Sequence, residues 1–150
     1  MAKSAKGNLL TEANGWPVTG CAKAFRTLGA ELAITYLNDK AKPYVEPAAK
    51  AVDAPLFLPC DVTQEGQLEA VFEAVREAWG GLDFVLHSIA FADYEGEAKP
   101  FHQTPKAAFL RAVDVSCYSL IAVANRLQNL FSPDASVVTV SISTTRMASE

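Results

Sequence analysis

Histidine is scarce in this 150-residue chain, with two copies, and cysteine hardly commoner, with three. His87 and His102 have no partner at metal-ligand spacing, so no metal site is expected and both read as structural. Cys21, Cys60 and Cys117 are odd in number, widely spaced and set among apolar residues, which points to buried thiols rather than disulfides or ligands. There is no block of Lys or Arg: 13 basic against 17 acidic residues give a net charge of -4, and nucleic acid is not expected as a partner. Uninterrupted apolar runs are short. The longest, such as Leu120 to Ala124, fall far below the roughly 20 residues that cross a bilayer, so no membrane partner is expected. The N-terminus carries Lys3 and Lys6, but Asn8, Thr11 and Glu12 break any signal-peptide core, and a cytoplasmic location is expected.

Half of the residues are apolar and a fifth are charged, the composition of a packed globular unit. A length of 150 residues favours one domain, 1–150. Short β-rich runs alternate with segments of helical periodicity, the pattern of βα units on a parallel sheet. The expected strands are Asn8 to Leu10, Glu31 to Tyr36, Pro55 to Pro59, Leu82 to His87 and Ser136 to Ser143. The expected fold is therefore α/β, a partial doubly wound, Rossmann-like parallel sheet of about five strands with flanking helices. The first helix starts at Pro17, with Cys21, Phe25 and Leu28 on one stripe and Gly29 as its stop. A second, Pro43 to Val52, is weakened by Pro47. The clearest runs from Gln64 to Trp79, with Leu68, Val71, Phe72, Val75 and Trp79 on one face, Thr63 as its cap, Glu65 in its first turn and Gly80 at its end. The last is opened by Thr104 and Pro105, carries Phe109, Val113, Cys117, Leu120, Ala124, Leu127 and Phe131 on one stripe, and is expected to kink near Asp114. Phe91 to Gln103 reads as an exposed loop.

In an open parallel sheet, ligands bind beyond the carboxyl ends of the strands, where the strand order reverses. Cys60-Asp61-Val62 follow the third strand and Ser88-Ile89-Ala90 the fourth. The Asp61 carboxylate suits an adenine amino group, with Val62 against the ring; its alternative role is to cap the segment that follows. The small Ser88, Ala90 and Ala92 leave room for a flat ring or ribose, or simply make a tight strand exit. The first strand-to-helix turn, Thr11 to Gly20, holds two glycines and lacks the G-x-G-x-x-G phosphate fingerprint. Glu12 adds a negative charge there, a repulsion of about 1 kcal/mol toward a pyrophosphate if solvated. Gly20 is placed to let the helix approach the strand closely.

The segments Gly20-Cys-Ala-Lys-Ala-Phe-Arg26, Gly29-Ala-Glu-Leu-Ala-Ile-Thr-Tyr-Leu-Asn-Asp-Lys40, Leu56-Phe-Leu-Pro-Cys-Asp-Val62, His87-Ser-Ile-Ala-Phe-Ala92 and Asp114-Val-Ser-Cys-Tyr-Ser119 together resemble the bacterial enoyl-acyl-carrier-protein reductases. These are short-chain dehydrogenases/reductases that use NADH to reduce the double bond of an enoyl thioester in fatty-acid synthesis. The resemblance covers about Gly20 to Ser141. It implies NADH as cofactor, with Asp61 and Val62 at the adenine, Leu37 bordering it, Ile89 along the nicotinamide-side ribose, and Ser88 and Ala90 beside it among the cofactor-binding residues. Phe91 and Ala92 would face the acyl substrate, which is carried by acyl carrier protein. Leu37 to Lys40 contain no Arg for a 2′-phosphate, which favours NADH over NADPH. Thr11 and Val18 fall in the phosphate turn, Thr11 where the family has glycine, and NADH binding is expected to be weakened.

The family places a Tyr just after the fifth strand, where Ile142 stands, then a second Tyr and a Lys further on. No Tyr follows Tyr118 and no Lys follows Lys106. No catalytic residue is assigned, and this stretch by itself is not expected to reduce enoyl thioesters, because one oxyanion donor alone is worth on the order of a hundredfold in rate. The expected domain is thus an incomplete dinucleotide-binding domain with an exposed apolar edge. A catalytically silent nucleotide-binding or assembly module is the alternative, and the long helix from Pro105 to Phe131 offers a surface for a homo-oligomer. A phosphorylated receiver domain also fits the length and alternation, but it needs paired acids after the first strand and a Lys after the fifth. Only Glu12 stands near the first place, and Thr144-Thr145-Arg146 occupy the second.

Overall fold

Five short parallel strands form one sheet whose order is β3-β2-β1-β4-β5. The computed structural model describes residues 8–11, 16–92 and 100–141. The strands are β1 Asn8–Thr11, β2 Leu32–Tyr36, β3 Leu56–Pro59, β4 Leu82–His87 and β5 Phe131–Thr139. The helices are α1 Trp16–Thr27, α2 Lys42–Ala51, α3 Gln67–Trp79, α4 Lys106–Val113 and α5 Ser119–Leu127, with a π turn, Asp114–Tyr118, joining the last two. This is the expected doubly wound architecture. The order reverses between β1 and β4, which excludes the receiver arrangement, whose order is 2-1-3-4-5.

The centre of the sheet is covered on both faces, as the βα crossovers of a parallel sheet require. Every residue of β2 is buried, and its side chains alternate between two cores. Leu32, Ile34 and Tyr36 pack with Ala22 of α1 and with Val45, Ala49 and Val52 in and after α2. Ala33 faces the other way, toward Leu68, Val71 and Val75 of α3 and Val123 and Leu127 of α5. Pro47 sits inside α2 but on its exposed side, so the helix tolerates the missing donor. The cation of Arg126 on α5 meets the Glu69 carboxylate on α3 at 2.8 Å across the surface of the second core.

Several local expectations are corrected. The α3 helix begins at Gln67, not Gln64, because Gly66 takes a left-handed conformation at φ 84° that no helix can run through. Thr63 therefore caps no helix, and the acid in the first turn is Glu69, not Glu65. On α1 the expected Cys21 and Phe25 pack on the first core beside the buried Ala22, Phe25 against Phe84 of β4 at 4.9 Å, but Leu28 is 82% exposed, since the chain leaves the helix at Thr27 and turns at Gly29. Gly20 is exposed and a Cβ placed there would meet nothing within 4 Å, so it serves no close approach. The kink near Asp114 is the π turn, and the expected stripe holds only in α5, where Leu127 is buried and Leu120 and Ala124 are half-buried beside the buried Ser119 and Val123; Phe109, Val113 and Cys117 face solvent. Cys117 is thus exposed and Cys21 only half-buried, leaving Cys60 as the buried thiol. Phe131 belongs to β5 rather than to the helix. Regular pairing of β5 begins at Ser136 opposite Phe84, after an irregular stretch from Phe131 that is pinned by the Ser132 hydroxyl donating to Asp83 at 2.6 Å.

Val137, Val138 and Val140 leave a partly exposed apolar border at β5. By length and composition the helical run Lys106–Leu127 is long and apolar enough to cross a membrane, with a hydropathy of 1.6, which the reading of uninterrupted apolar runs overlooked. Here it lies on the domain through Ser119, Val123 and Leu127. Glu12, Gly15, Ile142 and Thr144 to Arg146 lie outside the described residues.

Candidate functional site: a cleft at the strand ends

The carboxyl ends of β2, β3 and β4 open onto a cavity of about 280 Å³. Leu37 and Asn38 border it after β2, Cys60 to Thr63 after β3, and Ile89, Ala90 and Phe91 after β4. Arg111 and Val115 close it from α4 and the π turn. Six of the residues singled out in the sequence, Leu37, Asp61, Val62, Ile89, Ala90 and Phe91, therefore meet around one space. Ser88 and Ala92 lie next to it in the chain but are not among its walls. Thr11 ends β1 opposite His87, and Val18 lies in the first turn of α1; the side chains of both are outside the described residues.

Asp61 is held by its neighbours. Its backbone N–H donates to Gln67 Oε1 at 2.8 Å, and its Oδ1 accepts the Thr63 N–H at 2.9 Å and the Thr63 hydroxyl at 2.7 Å. The carboxylate thus caps the turn after β3 with one oxygen, as the structural alternative proposed, and does so for a turn rather than for α3. Among the described residues no hydrogen bond is made by Oδ2. Asn38, not foreseen, shapes the opposite wall: its Oδ1 accepts the N–H of Lys40 at 3.0 Å and of Ala41 at 3.1 Å. The Arg111 guanidinium lies over the Phe91 ring at 5.0 Å. Neither Arg111 nor Val115 carried a sequence signal for this place, because their position depends on how α4 crosses the strand ends.

Beneath the cleft, His87 is 1% exposed and bridges three elements. Its Nε2 lies 2.8 Å from Ser119 Oγ and its Nδ1 3.0 Å from Thr139 Oγ1. The Ser119 hydroxyl donates to the Val115 carbonyl at 2.6 Å, so its oxygen accepts from His87, which places the imidazole proton on Nε2. Burial lowers the His87 pKa from its ordinary 6.5, and the ring is neutral at physiological pH. Burial, and next the Asp61 charge, push the Cys60 thiol up to about 11, which makes it unreactive as a nucleophile. No group of three or more metal-ligating side chains occurs among the described residues.

A five-stranded parallel sheet with its order reversed at the centre, and a cleft carrying an acceptor between apolar walls, define a dinucleotide-fold domain of the short-chain dehydrogenase/reductase type. The family model described as enoyl-(acyl carrier protein) reductase matches residues 18–150, and the chain belongs to that family. It is 38% identical over 136 residues to an NADH enoyl-(acyl carrier protein) reductase of Rhizobium meliloti, covering 90% of this chain and 50% of that protein. Among solved structures, the reductase of Anaplasma phagocytophilum in complex with NAD matches with TM-score 0.82 and 32% identity over 91% of this chain and 53% of that one. The NADH enzyme of Aquifex aeolicus matches with TM-score 0.83 and 33% identity, over 91% and 55%. The chain spans about half the length of the relatives it matches.

Proposed function

We propose that this chain supplies the adenosine-binding half of an NADH-dependent enoyl-thioester reductase. The observation that carries the reading is the cavity at the strand ends, in which Asp61, Val62 and Ile89 are brought together. At about 280 Å³ it lies just below the roughly 300–1,000 Å³ of ligand sites, which suits one base and its ribose rather than a whole dinucleotide. Val62 supplies apolar contact to the base, and Asp61 Oδ2 accepts from its amino group. Leu37 borders the adenosine, and Ser88 to Ala90 lead toward the nicotinamide side. Thr11 and Val18 stand at the phosphate turn, and Phe91 and Ala92 face an enoyl substrate linked to acyl carrier protein. When bound, the reduced nicotinamide supplies a hydride; the residues present here bind and orient the adenosine end. A cytoplasmic location and an assembly of identical chains belong to the same reading. For the latter, the face of α4, the π turn and α5 that exposes Phe109, Leu110, Val113, Tyr118 and Ile121, each 40–61% exposed, is the contact surface.

Isotope-edited NMR titration of the 150-residue chain with AMP, ADP-ribose and NADH tests the cleft. Shifts at Val62 and Ile89 are expected with all three. Asp61→Asn keeps an acceptor for the Thr63 turn but turns the other oxygen into a donor, and affinity should fall about tenfold, the equivalent of one hydrogen bond. Shifts confined to other surfaces, or an unchanged affinity in D61N, would refute the assignment. Light scattering of the chain tests the assembly: a concentration-independent monomer removes it, and Ile121→Lys should dissociate a dimer.

A further inference from the structure

The segment after β4 belongs to no sheet or helix, so the Phe91 N–H and C=O have no ladder partner. Both are met by a single side chain: Ser116 Oγ accepts the Phe91 N–H at 2.9 Å and donates to the Phe91 carbonyl at 3.2 Å. Ser116 lies in the π turn beside Val115, and both are half-buried, Val115 lining the cavity and Ser116 bonded to Phe91. The π turn is in turn tied to the sheet, since Ser119 at its end donates to the Val115 carbonyl and accepts from the buried His87 of β4. The helix is thus fastened to β4 by Ser119 and to the loop leaving β4 by Ser116.

We propose that Ser116 is a positioning residue of the nucleotide cleft, clipping the Phe91 backbone so that Ile89 to Phe91 form a fixed wall. The inference rests on the nucleotide reading of the cavity, but the clip is measured independently of any ligand. Amide hydrogen exchange of the 150-residue chain is followed by NMR for wild type and Ser116→Ala, alongside AMP affinity. The Phe91 amide is expected to be protected in wild type and to exchange about tenfold faster in S116A, the loss of one hydrogen bond, with Leu32 to Tyr36 unchanged and AMP bound several-fold more weakly. Ser116→Thr and Ser116→Val, alike in shape and differing in the hydroxyl, decide the matter if alanine unfolds the chain: threonine restores protection and affinity and valine does not. Unchanged Phe91 exchange in S116A and S116V overturns the clip. Lost protection with wild-type AMP affinity overturns the positioning role. A wild-type chain that binds no AMP refutes the nucleotide reading, and with it the role in the cleft, while Phe91 exchange still reports whether the clip exists.

Discussion

Removing the Ser119 hydroxyl tests the buried network that holds the helix to the sheet. Ser119 is 2% and His87 1% exposed, so water cannot replace the lost partner without opening the core. In Ser119→Ala the His87 Nε2–H, 2.8 Å from the missing oxygen, is left unpaired, a penalty of about 1–3 kcal/mol. The ring has one escape: moving its proton to Nδ1 lets it donate to Thr139 Oγ1, leaving an orphaned acceptor in place of an orphaned donor. That holds the net loss to about 1–2 kcal/mol. With a urea slope of about 2 kcal/mol/M, the unfolding midpoint followed by circular dichroism should fall by about 0.5–1 M at unchanged slope. Nitrogen NMR should show Nε2–H in the parent and Nδ1–H in the variant. Thr104→Ala, which removes an exposed bond to the Phe101 carbonyl, serves as control and should stay within about 0.5 kcal/mol. A midpoint for S119A equal to the control, or a parent ring protonated at Nδ1, would show the argument to be wrong.

The depressed His87 pKa sets the sign of an acid effect: the unfolded chain binds the proton first, so stability is full above pH 6.5 and is lost as pH falls below it. An imidazole resonance that titrates at or above 6.5 in the folded chain would contradict this. Leu127, wholly buried between α3 and the sheet, should cost about 2–5 kcal/mol when cut to alanine, read by chemical denaturation; a cost below 1 kcal/mol would mean that α5 is not seated there. Asp53 holds a left-handed backbone at φ 47° just past α2, and Asp53→Gly should raise stability by about 0.5–1 kcal/mol, whereas a loss would show that its side chain matters more than its backbone. Alkylation at pH 8 followed by mass spectrometry should modify the exposed Cys117 well before Cys60, whose thiol is buried and titrates near 11; equal rates would refute that burial.

Alternation along β2 and three-and-four spacing along α3 were readable in sequence, because burial of one face imposes a period on consecutive residues. Six of the cleft residues were readable for a related reason: each lies within four residues of a strand's carboxyl end, and strand ends in a parallel sheet share one side. Where α3 begins was not, since Gly66 breaks the helix by its backbone conformation and not by any change in hydrophobic pattern. The exposure of Phe109, Val113 and Cys117 was also misread, because the stripe that is right at Leu127 is interrupted by the π turn, a backbone irregularity that no apolar spacing announces.

The sequence by itself determined the alternation of strands and helices, the family, and the placing of Asp61 and Val62 at a strand end, all of which depend on neighbours along the chain. The tertiary structure alone decided the strand order, the closing of the cleft by Arg111 and Val115, and the fastening of Phe91 and His87 by Ser116 and Ser119. Those last two pairings span 25 and 32 residues, and partners that distant meet only when the packing of a whole helix on the sheet sets its height and rotation.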